Sequence, residues 1–306
     1  MLQKIVFMGT PEFSVPTLET LINSNHKVLA VYSQPASKAN RGQKLIQSSV
    51  EAFATEHSLN IRTPSSLDND EEFNFMKKLK PDIVVVIAYG KIIPKKFLNL
   101  AKYGFINIHA SLLPKWRGAA PIQRSIMNLD NQTGISIMKI VEELDAGPVM
   151  HQDTIKINEK IDTLTLSKVL SKLGANSIMS AINKIEKGEA RFQEQNHSEA
   201  TYAKKIIKTE GKIDWSESAK KVLAKINGLN PNPGAWFEYK NERFKVWKAE
   251  IVNQNSNAGK IIDDGLTIAC NKQSIKILEI QKEGKSRQLT DQFLLGHKIK
   301  IGEIIT

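Results

Sequence analysis

Residues 82–88 read Asp-Ile-Val-Val-Val-Ile-Ala, a run that is apolar on both faces of a strand. A strand with one face in water would instead alternate apolar and polar side chains. Runs that are apolar on both faces are typical of parallel sheets whose two faces are covered by helices. This segment therefore favours an α/β fold.

Along the first two hundred residues, other apolar runs alternate with segments that have a helical pattern. We predict further strands at residues 4–9, 28–32, 105–110 and 134–140, and helices at 14–23, 50–57 and 164–187. This βαβ rhythm predicts a doubly wound domain with a mostly parallel sheet.

The amino-acid composition of the chain changes after the last of these helices. Residues 189–212 are polar and contain few large apolar side chains. We predict one short helix (216–226) and short strands beyond them, at 235–239, 243–252, 267–270 and 274–280. Short strands at this spacing predict a small β-barrel. We expect an α/β domain at 1–188, a linker at 189–207 and an OB-like barrel domain at 208–306.

The composition restricts the class of protein. With 43 Lys and Arg against 32 Asp and Glu, the net charge is +11, which indicates an acidic partner, nucleic acid first among the candidates. The single Cys270 excludes a disulfide scaffold and zinc sites built on cysteine. The apolar start of the chain is too short for a signal peptide, and no stretch is long enough for a membrane span. We expect a cytoplasmic protein with no membrane partner, and a monomer.

Residues 105–114, Phe-Ile-Asn-Ile-His-Ala-Ser-Leu-Leu-Pro, are the most informative for chemistry. Alternate side chains of a strand share a face, so Asn107, His109 and Ser111 are predicted to lie together. In open α/β sheets ligands bind beyond the carboxyl ends of strands, where an amide can stabilise an oxyanion and an imidazole can move a proton. A strand with one solvated face explains the same pattern equally well.

A second polar segment follows the strand predicted at 134–140. Residues 145–148 read Asp-Ala-Gly-Pro, and an Asp in such a turn usually caps its own backbone. If Asp145 meets His109, its carboxylate can orient the imidazole or stabilise its charged form. Glu142 and Glu143 are expected to be solvated.

Other motifs exclude some functions. Gly9-Thr10-Pro11 lacks the later glycines of a dinucleotide-binding loop, and no phosphate-binding GxxxxGK[ST] loop is present, which disfavours enzymes that use nicotinamide or ATP. The remaining histidines have no metal-ligand spacing, so we expect no metal site. Residues 33–47 contain Lys38, Arg41 and Lys44 but no acidic residue, which indicates either a surface loop or a basic finger that contacts phosphate.

The segment from Asn107 to Pro114 resembles the signature of enzymes that take a formyl group from 10-formyltetrahydrofolate. Its continuation at 115–124, Lys-Trp-Arg-Gly-Ala-Ala-Pro-Ile-Gln-Arg, narrows the resemblance to the methionyl-tRNA formyltransferase family. Matches in the same order occur at residues 9–13, 133–134, 144–147, 213–215, 230–235 and 245–249. The resemblance therefore covers nearly the whole chain.

The resemblance implies a Rossmann-like formyltransferase domain followed by an OB-like, tRNA-binding domain. It places the catalytic residues at Asn107, His109 and Asp145. It implies folate binding at Ser111, Leu112, Leu113 and Pro114, and contact with the acceptor end of initiator methionyl-tRNA through Lys38, Arg41 and Lys44. The expected co-substrate is 10-formyltetrahydrofolate, and no metal is expected.

Two alternatives remain at this point. Other folate-dependent formyltransferases, which act on glycinamide ribonucleotide or on amino sugar nucleotides, share the Asn-His-Ser-Leu-Leu-Pro pattern, although the basic loop and the second domain favour tRNA. A tRNA-binding protein without catalysis also fits the net charge of +11. It leaves the polar face at 107, 109 and 111 unexplained.

Overall fold

The computed structural model describes residues 3–39 and 44–305. The chain divides into two compact units. The first consists of Met1–Gly118, Thr133–Ile155 and Ser167–Tyr202, and the second of Ala119–Gln132, Lys156–Leu166 and Ala203–Thr306. The predicted domain bounds at residues 188 and 208 stay a prediction.

The helices and strands are numbered in chain order. The α-helices are α1 Val15–Ile22, α2 Ser49–Glu56, α3 Asp70–Leu79, α4 Lys95–Leu98, α5 Pro121–Met127, α6 Thr163–Glu186, α7 Ala219–Leu229 and α8 Thr290–Gly296. The strands are β1 Lys4–Gly9, β2 Lys27–Tyr32, β3 Ser37–Ala39, β4 Lys44–Ile46, β5 Ile61–Arg62, β6 Ile83–Ile87, β7 Phe105–His109, β8 Arg117–Gly118, β9 Gln132–Lys139, β10 Val149–Lys156, β11 Tyr202–Ala203, β12 Ala235–Tyr239, β13 Glu242–Val252, β14 Thr267–Ala269, β15 Ser274–Lys282 and β16 Gln288–Leu289.

The first unit is built on a seven-stranded sheet in the order β10-β9-β7-β6-β1-β2-β5. Strands β1, β2, β5, β6 and β7 pair in parallel, and β9 then pairs antiparallel with β7. All five residues of β6 are buried, because the strand lies inside the sheet and both of its faces are covered. The predicted α/β unit with a mostly parallel sheet is confirmed.

Helix α6 packs closely against β7, the strand that carries Asn107 and His109, two of the three predicted catalytic residues. At Gly174 in α6, an added Cβ would lie 2.9 Å from the Cγ2 of Ile108. Because odd and even positions of β7 face opposite sides of the sheet, Ile108 faces α6, whereas Asn107 and His109 face away from it. The helix thereby covers one face of the strand and leaves the polar face for chemistry.

The second unit contains an antiparallel sheet in the order β12-β13-β15-β14, with β16 paired to β15. Aromatic side chains form part of its core. Phe237 stacks on Phe244 with ring centroids 5.5 Å apart, and Trp215 and Phe293 meet these two rings edge-on. The short strands predicted for this part of the chain are therefore present, and they form an antiparallel sheet.

Some elements differ from the sequence predictions. Helix α7 begins at Ala219 and not at 216, because the Ser218 side chain accepts a hydrogen bond from the Lys221 amide and so caps the helix there. Strand β10 was not predicted. It is an edge strand with many exposed positions, and its sequence has no sustained apolar run. The basic segment 33–47 forms an antiparallel pair, β3 with β4.

Within the part of the chain that the structure describes, no helix is both long and apolar enough to cross a membrane.

The pairing of β9 with β10 depends on close backbone contact at Gly134. A Cβ added there would lie 1.9 Å from the Asp153 carbonyl oxygen. We expect Gly134→Ala to lower the free energy of unfolding by about 1–3 kcal/mol, because the strands must separate. Chemical denaturation measures this change. Gly296→Ala is the control: nothing lies within 4 Å of its added Cβ, so it should cost no stability.

Candidate active site

Two of the predicted catalytic side chains lie on one face of β7. Asn107 is half-buried, and His109 is only 6 % exposed. Asn107 pairs with Val86 of β6 and with Met138 of β9, and His109 pairs with Ser136 of β9. Backbone pairing thus fixes the position of both residues.

The two ring nitrogens of His109 face different acceptors. Its Nε2 lies 2.8 Å from the Trp116 carbonyl oxygen, and its Nδ1 lies 3.6 Å from Asp145 Oδ2. A carbonyl oxygen can only accept, so Nε2 carries a proton and donates it. Nδ1 is therefore the nitrogen that faces the carboxylate.

Asp145 reaches His109 from the turn between β9 and β10. The residue has φ +50, a left-handed conformation in which Asp is among the more common non-glycine residues. Its Oδ2 also accepts a hydrogen bond of 2.8 Å from the Gly118 amide. The structure therefore brings His109 and Asp145 together, although they lie far apart in the sequence.

The turn that holds Asp145 is fixed by two residues that sequence reasoning missed. Gln195 donates to the carbonyl oxygens of Asp145 and Gly147 at 2.8 and 2.7 Å, and Arg117 donates to the Gln195 side-chain oxygen. Arg117 lies in a segment that carries the family resemblance, but no pattern assigns it a role. Gln195 lies in a polar stretch, and only its burial in the fold distinguishes it from its neighbours.

The predicted folate-binding residues lie directly after β7. Ser111 is past the end of the strand, and its hydroxyl donates to the Lys115 carbonyl oxygen at 2.5 Å. Ser111 and Leu113 are buried, whereas Leu112 and Pro114 are half-buried. Ser136 of β9 holds this segment in place, donating to the Ser111 carbonyl at 2.6 Å and accepting from the Leu113 amide.

A groove of about 1090 Å³ opens beside the same strand and turn. Its lining includes Phe105, the first residue of β7, and the residues from Ile140 to Glu143, which precede Asp145. Lys95, Lys102 and Lys139 also line it. As predicted, Glu142 and Glu143 are exposed. The groove therefore lies at the beginning of β7, whereas His109 lies at the end of that strand, and its lining carries both positive and negative side chains.

The predicted tRNA-contacting residues are only partly covered by the structure. Lys38 and Lys44 lie in the paired strands β3 and β4, and Arg41 lies outside the described residues.

The second unit has a cationic aromatic face that the sequence did not predict. Arg243 lies 3.9 Å from the Trp236 ring centroid, and Lys245 and Arg287 lie 4.0 and 4.8 Å from that of Trp247. Burial lowers the pKa of the Lys245 ammonium, and the charge of Arg287 lowers it further. The face thus combines half-buried indole rings with three positive side chains, of which Arg243 and Arg287 also pair with Glu238 and Glu279.

Comparisons with known proteins decide the family. Residues 3–182 match the family profile described as formyl transferase, and residues 205–298 match that of the formyl transferase C-terminal domain. A methionyl-tRNA formyltransferase of Pelagibacter ubique is 51 % identical over 100 % of this chain and 99 % of its own length. One of Chelativorans is 42 % identical over 99 % of both chains.

The chain belongs to the methionyl-tRNA formyltransferase family. The resemblance seen in the sequence is confirmed, and the protein is an enzyme of the formyltransferase class.

Solved structures share the fold of this formyltransferase. An N-formyltransferase from Helicobacter canadensis, in complex with folinic acid and dTDP-3-aminofucose, has a TM-score of 0.71 and 18 % identity, and the match covers 92 % of this chain and 100 % of that one. HypX from Aquifex aeolicus has a TM-score of 0.68 and 17 % identity. That match covers 100 % of this chain, which spans about half of HypX (51 %). At these identities the likeness shows the fold alone.

The contact with Trp116 predicts the protonation of one His109 nitrogen. In long-range ¹H–¹⁵N spectra of the free formyltransferase, we expect Nε2 of His109 to carry a proton, because a carbonyl oxygen faces it. A His109→Gln sample assigns the signals. A bare Nε2 in the free protein would contradict this geometry.

Proposed function

We propose that this chain transfers the formyl group of 10-formyltetrahydrofolate to the α-amino group of methionine esterified to initiator tRNA. The observation that carries the proposal is the His109–Asp145 pair at the end of β7, beside the half-buried amide of Asn107. Acyl transfer between nitrogen atoms needs a group that stabilises an oxyanion and a group that moves a proton. The full-length similarity to methionyl-tRNA formyltransferases supports the choice of substrate.

The reaction begins when the neutral amine attacks the formyl carbon, which is bonded to N10 of the folate. A new C–N bond forms, and the electron pair of the carbonyl moves onto oxygen to give a tetrahedral oxyanion. Asn107 is the proposed donor to this oxygen, since its amide N–H₂ lies on the open face of β7. A preorganised donor of this kind is worth roughly 2.7–4 kcal/mol in the transition state.

His109 is the proposed proton carrier. Nε2 is engaged by the Trp116 carbonyl, so the proton lost by the attacking nitrogen passes to Nδ1. Asp145 then stabilises the imidazolium, and Nδ1 returns the proton to N10 as the C–N10 bond breaks. The products are formylmethionyl-tRNA and tetrahydrofolate, and no covalent bond to the enzyme forms.

The folate is proposed to lie against the segment from Ser111 to Pro114, which follows the carboxyl end of β7. Because Ser111 and Leu113 are buried, side-chain contact in this segment falls to Leu112 and Pro114.

We expect His109→Ala and Asp145→Asn to lower kcat by roughly 10²- to 10⁴-fold, because each removes part of the proton-transfer pair. The measurement is formylation of charged initiator tRNA with 10-formyltetrahydrofolate as donor. A glycinamide ribonucleotide acceptor, assayed with the same donor, tests substrate choice.

His151→Ala is the control, because that imidazole pairs with Asp153 on β10 and has no proposed part in the reaction. If both active-site variants formylate at the wild-type rate, the proposed catalytic role is wrong.

The tRNA is proposed to contact both units. In the first, the segment with Lys38, Arg41 and Lys44 would grip the acceptor end. In the second, the face formed by Trp236, Trp247 and their three cations suits nucleic acid, since indole rings stack on bases and cations neutralise phosphates.

We expect Arg41→Ala to weaken the binding of methionyl-tRNA and to leave folate binding unchanged. If Arg41 contacts one phosphate, the slope of log K against log salt should fall in magnitude by about one. Titration at several salt concentrations measures it.

Lys27→Ala is the matched control, because Lys27 is exposed at the beginning of β2 whereas the basic segment follows its end. Equal salt slopes for the two variants would show that Arg41 does not contact the tRNA.

A further inference from the structure

Arg117 is a buried cation beside the proposed active site. Its side chain is 0 % exposed, and two of its nitrogens donate to Gln195 Oε1, Nε at 3.1 Å and Nη2 at 2.9 Å. The third, Nη1, lies 3.4 Å from a carboxylate oxygen of Glu143, which is 60 % exposed. A buried guanidinium is costly unless its donors are satisfied, so this arrangement constrains the residues around it.

The guanidinium fixes the orientation of the Gln195 amide. Because Oε1 accepts from Arg117, the amide nitrogen must point the opposite way, toward the carbonyl oxygens of Asp145 and Gly147. Carbonyl oxygens only accept, so these two bonds need the N–H₂ group of a glutamine. A glutamate could pair with Arg117 but would turn an acceptor oxygen toward both carbonyls.

The two bonds act on the backbone of the residue whose carboxylate faces His109. Asp145 is held at its carbonyl by Gln195 and at its carboxylate by the amide of Gly118, the residue that follows Arg117. Both ends of Asp145 are thus tied to the Arg117–Gly118 segment. Its φ of +50 is left-handed, and these contacts hold the turn in that conformation.

We propose that Arg117 and Gln195 are positioning residues that set the distance between Asp145 and His109. This inference rests on the proposed function, because it assigns them a role through Asp145. Neither side chain is proposed to touch a substrate. The segment after α6 therefore takes part in catalysis by holding the turn between β9 and β10.

The test compares Gln195→Met with Gln195→Glu. The first keeps the length of the side chain without its hydrogen bonds, and the second keeps the pair with Arg117. We expect both to lower kcat about 10- to 100-fold, because a displacement of about 1 Å can cost 10²-fold. KM for folate and for methionyl-tRNA should stay within twofold. A wild-type kcat in a folded variant overturns the inference.

Gln193→Met is the matched control. Gln193 is exposed, lies two residues away, and bonds to Val149 through its backbone only. It should keep the wild-type kcat. If Gln195→Met does not fold, Gln195→Glu decides, since its carboxylate still neutralises the buried guanidinium.

A double-mutant cycle separates positioning from general damage. In an Asp145→Asn background, adding the Gln195 substitution should change kcat less than twofold, because Gln195 acts through Asp145. The same 10- to 100-fold loss in both backgrounds overturns the inference. If the wild-type protein does not formylate charged initiator tRNA, the proposed function fails. If Asp145→Asn keeps the wild-type rate, the catalytic role of Asp145 and the positioning role that depends on it fail; if only the Gln195 variants keep it, positioning alone fails.

Discussion

Strand β7 is hydrogen-bonded on both sides, to β6 in parallel and to β9 antiparallel. This double pairing leaves the strand no freedom to rotate, so Asn107 and His109 face one side of the sheet and Ile108 faces α6. Strand β9 ends opposite Ile106, near the beginning of β7, so the turn that follows it must extend to the other end of β7 for Asp145 to reach His109. Contacts of Gln195 and the Gly118 amide with this turn hold Asp145 there.

The polar and charged side chains at this site have little access to water. The His109 ring is 6 % exposed, the Asp145 side chain 14 %, and Arg117 is buried between Gln195 and Glu143. Electrostatic interactions are stronger where water is excluded, which favours a fixed arrangement of donors around a developing negative charge. The same burial makes each misplaced polar group expensive, so the network around Gln195 leaves few alternative conformations open to the turn.

The polar residues that follow α6 are attached to the rest of the first unit. The sequence of 189–207 predicts a linker because it contains few large apolar side chains. In the structure Gln193 pairs with Val149 and Thr201 accepts from the Arg117 amide at 2.8 Å, so hydrogen bonds rather than apolar packing attach this stretch to the first unit. Hydropathy gives no sign of attachment through hydrogen bonds. For this reason the hydropathy pattern does not indicate a role for Gln195.

The sequence by itself determined the α/β class, most strands of the main sheet, the short strands of the second unit and the family, because these depend on local periodicity and on motifs of neighbouring residues. It also indicated Asn107 and His109 together, since two positions on one strand share a face. Only the tertiary structure decided that Asp145 meets His109 and that Gln195 and Arg117 hold its turn. These contacts join residues 36 to 78 positions apart, and what brings them together is strand order and long-range hydrogen bonding, which no local pattern encodes.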